Sequence, residues 1–599
     1  MLATTYLLRA QQAFAMNQWT QVCHFAKQSI AAAQYEAKVR NIALSLLAIG
    51  LYQLRHLADA VTVWKELDSH VPNDATTLSN IGFALIELQR YEESILYLKR
   101  SVAIAPDNAI AHANLALAYS RSGDKTQAKV AYRHAIHLNP RYAEAKFGLA
   151  DILQDEGLIE EALPLYEQGL ELDPNNLAVW NNTLFLHHSL YPLNIPCLTQ
   201  LLQKFSTVIG ENPVTLNQST PLLPNAVLKV GIISADLCNH VVAAFLSSTL
   251  DQLNLEPQLR SKLVLVGYYN NGAQDEYTHR LQAVFDLWRQ VDTWTDDHLI
   301  QQIQKDKIDI LIDLSGHTHG NRLSVFAKKP APLQVSWLGY WGSTGLRSID
   351  YILADPICAP MDDTYPFVEK IWRLPHLRYC FSAPLNAPQV SALPSLHNQR
   401  IVFGCYQFVR KINDAVLNCW AQILRASPLA RLRIQSLSFE TIGLKDQFIK
   451  RLIDVGIELD RVELVAGMST FEYLASYVEV DIVLDTFPHA GGTTTAEALW
   501  MGVPTLSLTT TGMLGRQGEA LLINAGLSDW VVYSEEEYVQ KAIHWANADT
   551  MQRQKLADLR AGLREQVRTS PVFDAKTFAS DFVDALYGMW NKKYNDPIL

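Results

Sequence analysis

VDIVLDTFPHAGGTTTAEALWMGVPT, residues 480–505, decides the fold class. The apolar run VDIVLDTF closes on Asp485 and reads as a buried strand. Gly491 and Gly492 make a turn, three threonines open the helical stretch AEALWM, and VPTLSL (503–508) begins a further strand. A strand, a glycine turn, a helix and another strand form the repeating unit of a parallel α/β sheet.

Upstream, RIVFGCYQ (400–407), ARLRIQSL (430–437) and RVELVAG (461–467) repeat the short apolar pattern with helix-like segments between them. LKVGIISAD (228–236), KLVLVGYYN (262–270) and DILIDLSGHT (309–318) form an earlier series of the same kind. Two Rossmann-like lobes are therefore predicted, at 227–390 and 398–590. The intervening stretch from 384 to 399 contains Pro and Ser.

A different period governs the first third of the chain. Rows of 34 residues, 41–74, 75–108, 109–142 and 143–176, fall into register and close on Pro72, Pro106, Pro140 and Pro174. Ala48, Gly82, Ala116 and Ala150 share a small-residue column, as do Ala60, Ser94, Ala128 and Ala162. Trp64, Leu98, Tyr132 and Tyr166 share a large one. Each row reads as a helical hairpin that buries its apolar face by stacking on its neighbours, which predicts a superhelix of tetratricopeptide repeats over 1–192. Residues 4–40 read as a degenerate extra unit and 177–192 as a repeat that fades out. The period is lost over 193–226, read as a linker.

Composition narrows the function. The 61 acidic residues exceed the 50 basic ones by 11, which disfavours a broad nucleic-acid or anionic-lipid surface, so a phosphate site has to be local. Seven scattered cysteines form no C-x-x-C pair, and no apolar run has the length of a membrane span. These features predict a soluble cytoplasmic protein with reduced thiols.

Ligands of parallel sheets bind beyond the carboxyl ends of the strands. Four segments lie there: DLCNH (236–240), SGHTHGNR (315–322), CYQFVRK (405–411) and the turn after Asp485. Gly491, Gly492, Thr493, Thr494 and Thr495 combine glycines, hydroxyls and a helix N-terminus, a set that suits a diphosphate; an ordinary threonine cap is the competing reading. Glu497, one turn on, suits a ribose hydroxyl. Gln407 and Lys411 follow a strand of the same lobe, and an ammonium at Lys411 suits the leaving diphosphate. His240 and His317 follow strands of the other lobe, where an acceptor has to lose a proton or the sugar has to be held. His319 and His489 are weaker candidates. The chain contains no Asp-x-Asp and no cluster at metal-ligand spacing, which predicts metal-free nucleotide-sugar transfer.

Together the motifs resemble the repeat-containing protein O-linked N-acetylglucosamine transferases, with their plant SPINDLY-type and bacterial relatives. The likeness is carried by VGIISADLCNH, DLSGHTHGNRL, KPAPLQVSWLGYWGSTG, DYILAD, RLPH, RKIN, VDIVLDTFPHAGGTTTAEALWMGVPT, SPVFDAKTF and GMW. It implies a GT-B fold and metal-independent transfer, with inversion, to Ser or Thr hydroxyls of proteins. It also implies His240 near the acceptor as a base, Lys411 on the diphosphate, Thr493 and Thr494 on phosphate, and Glu497 in place of a ribose-binding aspartate.

Two departures bear on the donor. Segment 464–477 (LVAGMSTFEYLASY) lacks the Lys and His with which the animal enzymes hold uridine, and position 492 is Gly where they carry His. UDP-GlcNAc, GDP-fucose and UDP-glucose all stay open as donors, the last with N-glucosyl transfer to asparagine, which the resemblance to some bacterial relatives implies. For the repeats the open readings are protein-acceptor binding, spacing and assembly into a homodimer. Transfer to a non-protein acceptor and a nucleotide-sensing scaffold are the competing functions.

Overall fold

Small side chains facing large ones build the helical pairs of the first third. The protein, represented by a computed structural model, is described over residues 1–215, 226–384, 386–441 and 443–595. It divides into two units, Met1–Glu156 with Glu161–Pro174 and Thr441–Leu444, and Gly157–Glu160 with Asn175–Glu440 and Lys445–Leu599.

In the first unit the rows fold as helix pairs: Ala37–Gln53 with Leu57–His70, Ala75–Glu87 with Tyr91–Ile104, Ala109–Ser122 with Lys125–Leu138, and Ala143–Asp155 followed by Ile159–Leu172. The degenerate stretch 4–40 supplies another pair, Leu2–Ala15 with Trp19–Ala32. All three columns are buried, with Trp64, Leu98, Tyr132 and Tyr166 at most 4% exposed. The reason for a small partner is explicit at Gly82, where an added Cβ would sit 2.4 Å from Leu98 Cγ. Ser94 secures the same contact by donating its hydroxyl to the Gly82 carbonyl at 2.7 Å.

The stretch read as a fading repeat, 177–192, belongs to the second unit. Its helix Leu177–His187 is held there by side-chain contacts to the first lobe, Asn181 to His317 and Phe185 to Trp341. The expected linker 193–226 contains an ordered helix, Ile195–Ile209, capped by Asn194 and burying Leu198, Leu201, Leu202 and Phe205. Residues 216–225 of that linker lie outside the described residues.

Two all-parallel sheets form the second unit. The first lobe contains β1 (Leu228–Ser234), β2 (Leu263–Tyr269), β3 (Leu287–Gln290), β4 (Ile310–Asp313), β5 (Leu333–Ser336), β6 (Tyr351–Ala354) and β7 (Lys370–Arg373), in the order 3-2-1-4-5-6-7. The second contains β8 (Val402–Cys405), β9 (Arg431–Gln435), β10 (Val462–Val465), β11 (Ile482–Leu484), β12 (Thr505–Leu508) and β13 (Val531–Val532), in the order 10-9-8-11-12-13. The central strands are nearly continuous apolar runs because both faces are covered. Burial is complete along β4, β5, β6 and β12.

The final helix, Ala575–Asn595, begins within the range expected for the second lobe but packs on the first. Phe582 stacks on Trp337 with ring centroids 4.6 Å apart, and the Tyr587 hydroxyl donates to the Ala226 carbonyl at 2.8 Å. A helix that crosses back in this way ties the lobes together through the chain itself. Among the described residues no helix is long and apolar enough to cross a membrane.

Candidate functional site

Strand order reverses at β1/β4 in the first sheet and at β8/β11 in the second. At such a switch point neighbouring connections leave on opposite faces and open a crevice. All four candidate segments follow these four strands.

In the second lobe β11 is followed directly by the buried Asp485, whose carboxylate accepts from the amides of Thr486 (2.9 Å) and Gly491 (2.8 Å) and from the Ser507 hydroxyl (2.8 Å). Burial lifts its pKa to about 6, against the lowering effect of these bonds and of Lys411. One carboxylate thus pins both ends of the 485–491 loop. The first lobe uses the same device: Asp313 accepts from the amides of Ser315 and Gly316, and burial likewise raises it to about 6.

The turn then opens the helix Thr493–Trp500, whose N-cap, Gly492, has no side chain to satisfy the first amides. Gly492, Thr493 and Thr494 are partly exposed, while Thr495 is buried beneath them. From the neighbouring β8, Gln407 donates Nε2–H to the Thr494 hydroxyl at 2.7 Å, and Lys411 donates to Gln407 Oε1 at 3.0 Å. Lys411, Gln407 and Thr494 thus form one hydrogen-bonded row across two adjacent strand ends. A Cβ on Gly491 would come within 2.6 Å of Gln407 Nε2 and of the Thr494 and Thr495 hydroxyls, so only glycine lets the row close. Burial, reinforced by Arg410, lowers the Lys411 pKa to about 8. An ammonium short of water, with only the distant field of Asp485 against that of Arg410, is suited to an anion.

Glu497 lies one turn further on and accepts from the Tyr473 hydroxyl at 2.9 Å. Burial raises its carboxyl to about 7. Tyr473, Tyr477 and Tyr406 form an aromatic cluster beside it, Tyr406 and Tyr477 stacked at 4.2 Å.

In the first lobe His240 is exposed at the N-cap of the helix Val241–Leu255. Its Nδ1 accepts from the Val242 amide at 3.3 Å and lies 3.7 Å from Asp236 Oδ1. Burial raises the Asp236 carboxyl, offset by His240 and His319.

His317, expected in the groove, is buried instead at 2% exposure. Its Nδ1 pairs with Asn181 Oδ1 at 2.7 Å, its ring packs edge-on against Phe205 and Tyr340, and burial depresses its pKa to about 3. The residue following β4 therefore fastens the helix Leu177–His187 to the lobe.

Sequence reading singled out no residue in the run WLGYWGSTG (337–345), which joins the two sides. A Cβ on Gly339 would reach Val242 Cγ2 at 3.2 Å, beside His240, and Trp341 packs on His489 of the other lobe at 5.0 Å. The run is anchored by Glu369, which accepts from Ser343 Oγ (2.6 Å), from the Thr344 amide (2.7 Å) and from the Thr344 hydroxyl. Buried Arg378 donates to the carbonyls of Leu338 and Tyr340 and to Gln517, which in turn donates to the Ala490 carbonyl. The dense aromatic and glycine content of the run was the available signal; Glu369 and Arg378 carried none. By contrast, an open groove of about 480 Å³ near Arg400, Arg433 and Glu463 lies at the opposite, amino ends of β8, β9 and β10.

The sequence profile of glycosyl transferase family 41 matches residues 182–381 and 388–582, covering both lobes. The chain belongs to glycosyl transferase family 41. Tetratricopeptide-repeat profiles match 73–139 and 114–176. Among curated relatives, a tomato protein named probable UDP-N-acetylglucosamine–peptide N-acetylglucosaminyltransferase SPINDLY is 33% identical over 374 residues, 62% of this chain and 39% of its own length. An Arabidopsis thaliana protein of the same activity name, SEC, is 30% identical over 376 residues, 61% of this chain and 37% of its own. The chain thus spans about two fifths of these plant relatives. A solved structure of the Thermobaculum terrenum O-GlcNAc transferase, in a lysine-to-methionine mutant form, superposes with a TM-score of 0.76 at 30% identity, over 87% of this chain and 98% of that one. The family 41 lobes described above are accordingly a GT-B fold preceded by tetratricopeptide repeats.

Proposed function

We propose that this family 41 chain transfers a sugar, N-acetylglucosamine in the first instance, from a nucleotide-sugar donor to Ser or Thr hydroxyls of proteins, inverting the anomeric carbon and using no metal. The observation that carries the reading is the row Lys411–Gln407–Thr494 beside the open N-terminus of the Thr493 helix. It supports a diphosphate site, since an ammonium, a hydroxyl and unpaired helix amides converge there without another ion.

In this scheme the acceptor oxygen bonds to the anomeric carbon as the bond from that carbon to the diphosphate breaks. The electron pair passes to the β-phosphate, where Lys411 and the turn stabilise it. The hydroxyl proton goes to His240 Nε2, which carries a lone pair when Nδ1–H is turned to Asp236 and not when Nδ1 accepts from Val242. Glu497 holds the ribose. The repeats deliver protein acceptors, and free thiols at all seven cysteines suit a cytoplasmic setting.

The activities in the names of the relatives support GlcNAc as the sugar. A GDP-fucose donor is favoured instead by one observation, that 464–477 offers tyrosines and no Lys or His beside the ribose position. Intact-mass analysis of co-expressed acceptors with UDP-GlcNAc, GDP-fucose and UDP-glucose tests the proposal. An N-acetylhexosamine increment supports the first reading and a deoxyhexose increment the second. No increment with any donor rejects both.

A further inference from the structure

His489 stands out among the buried polar groups of the second lobe. It is 7% exposed and lies two residues before Gly491, in the loop that Asp485 pins at both ends. Its carbonyl accepts from the Thr486 hydroxyl at 2.8 Å, so its backbone is fixed. Its ring is walled by Trp341 at 5.0 Å and Phe185 at 6.4 Å, which themselves meet edge-on at 5.1 Å. Among the described residues the imidazole has no hydrogen-bond partner. The residue is largely buried, yet its ring nitrogens are not among the fully buried side-chain atoms that lack a partner, so they are open to a ligand from the groove.

We propose that His489 selects the transferred sugar, its imidazole hydrogen-bonding a hydroxyl of the hexose while the Trp341 ring lies against the sugar's C–H face. The proposal rests on the donor site proposed above. Direction supports it: a sugar attached at the Thr493 helix has to extend toward the first lobe to meet an acceptor near His240, and the His489 ring leaves the turn toward Trp341 of that lobe. Chemistry supports it as well. Burial together with Lys411 and Arg410 keeps the imidazole neutral, with one nitrogen donating and the other accepting. That pairing matches a hydroxyl, which does both, and not a phosphate or carboxylate, which only accepts. An apolar wall with a single polar group is also how a pocket discriminates between sugars that differ at one substituent.

The test compares nucleotide with nucleotide-sugar, using the full chain and the variants His489→Ala and His489→Asn. Titration calorimetry with UDP, GDP, UDP-GlcNAc and GDP-fucose is expected to give nucleoside-diphosphate affinities within about twofold of the native protein in both variants. Affinity for the preferred nucleotide-sugar should fall about tenfold in His489→Ala and recover in part in His489→Asn, with narrowed discrimination between sugars. Equal losses for nucleotide and nucleotide-sugar, or no loss for either, would overturn the assignment. The Asn variant, close in size and still polar, keeps the comparison available if the Ala variant does not fold. A native protein that binds neither UDP nor GDP would instead bring down the donor-site reading, which separates the two failures.

Discussion

Replacing Lys411 with Met removes one positive charge from the donor site while keeping most of the side chain's volume. The ammonium lies 3.0 Å from Gln407 Oε1 at the end of the row that reaches Thr494. A hydrogen bond to a charged group contributes about 1.5–3 kcal/mol, so the affinity for the preferred nucleoside diphosphate should drop by roughly 10- to 150-fold. pH provides a sharper test, because Lys411 is held at about 8, below the ordinary lysine value, by burial and by Arg410. In the free protein it is charged below that pH and loses its proton above it. Native affinity should therefore be level between about pH 7 and 7.5 and fall by about tenfold per unit above pH 8, while Lys411→Met stays flat. The unfolded chain binds the Lys411 proton more tightly than the folded one, so this residue makes stability rise across the same window, opposite in sign to the binding effect. Calorimetric titration with UDP and GDP at several pH values, alongside chemical denaturation, reads both. Equal affinities for native and Met proteins, or parallel pH profiles, would refute the placement of Lys411 on the diphosphate.

Other outcomes follow from single contacts. Gly491→Ala places a Cβ 2.6 Å from three polar atoms; nucleotide affinity should fall at least about tenfold, with a stability loss of about 1–3 kcal/mol from overpacking measurable in urea. Glu369→Ala strips the Thr344 amide and two hydroxyls of their buried acceptor. A loss of about 2–4 kcal/mol is expected, with sugar transfer reduced more than nucleoside-diphosphate binding, because the 337–345 run is loosened and not the turn. Gly82→Ala, facing Leu98 at 2.4 Å, should destabilise the repeat unit by about 1–3 kcal/mol in a denaturation series and leave UDP and GDP affinity unchanged. His317→Ala should lower thermal stability, by freeing Asn181 and opening space beside Phe205; a full loss of transfer in a protein of native stability would restore His317 to the groove.

Much of this protein is local enough to be written along the chain. The 34-residue columns dictate helix pairs because a small position meets its large partner only sixteen residues away, as Gly82 meets Leu98, and a second small residue, Ser94, bonds back over twelve. The strand, glycine turn and threonine-opened helix after Asp485 are likewise set by neighbours in sequence, and Gln407, Lys411 and Thr494 stood out as polar residues at strand ends. Their meeting was not legible. It depends on β8 lying beside β11, a pairing of strands almost eighty residues apart that no local pattern encodes.

The same limit explains the histidines. His240 and His317 follow similar strand ends, yet one is exposed and the other is buried against Asn181, Phe205 and Tyr340, none of which adjoins it in sequence. β3, β7 and the two-residue β13 were too short or too polar to read as strands, and take that form because a central sheet offers them an edge. Sequence alone determined which segments can carry the chemistry, since turns, caps and periodic faces are fixed within a few residues. Only the tertiary structure decided which side chains face one another across the groove, because burial and hydrogen-bond partners are set by packing between distant parts of the chain.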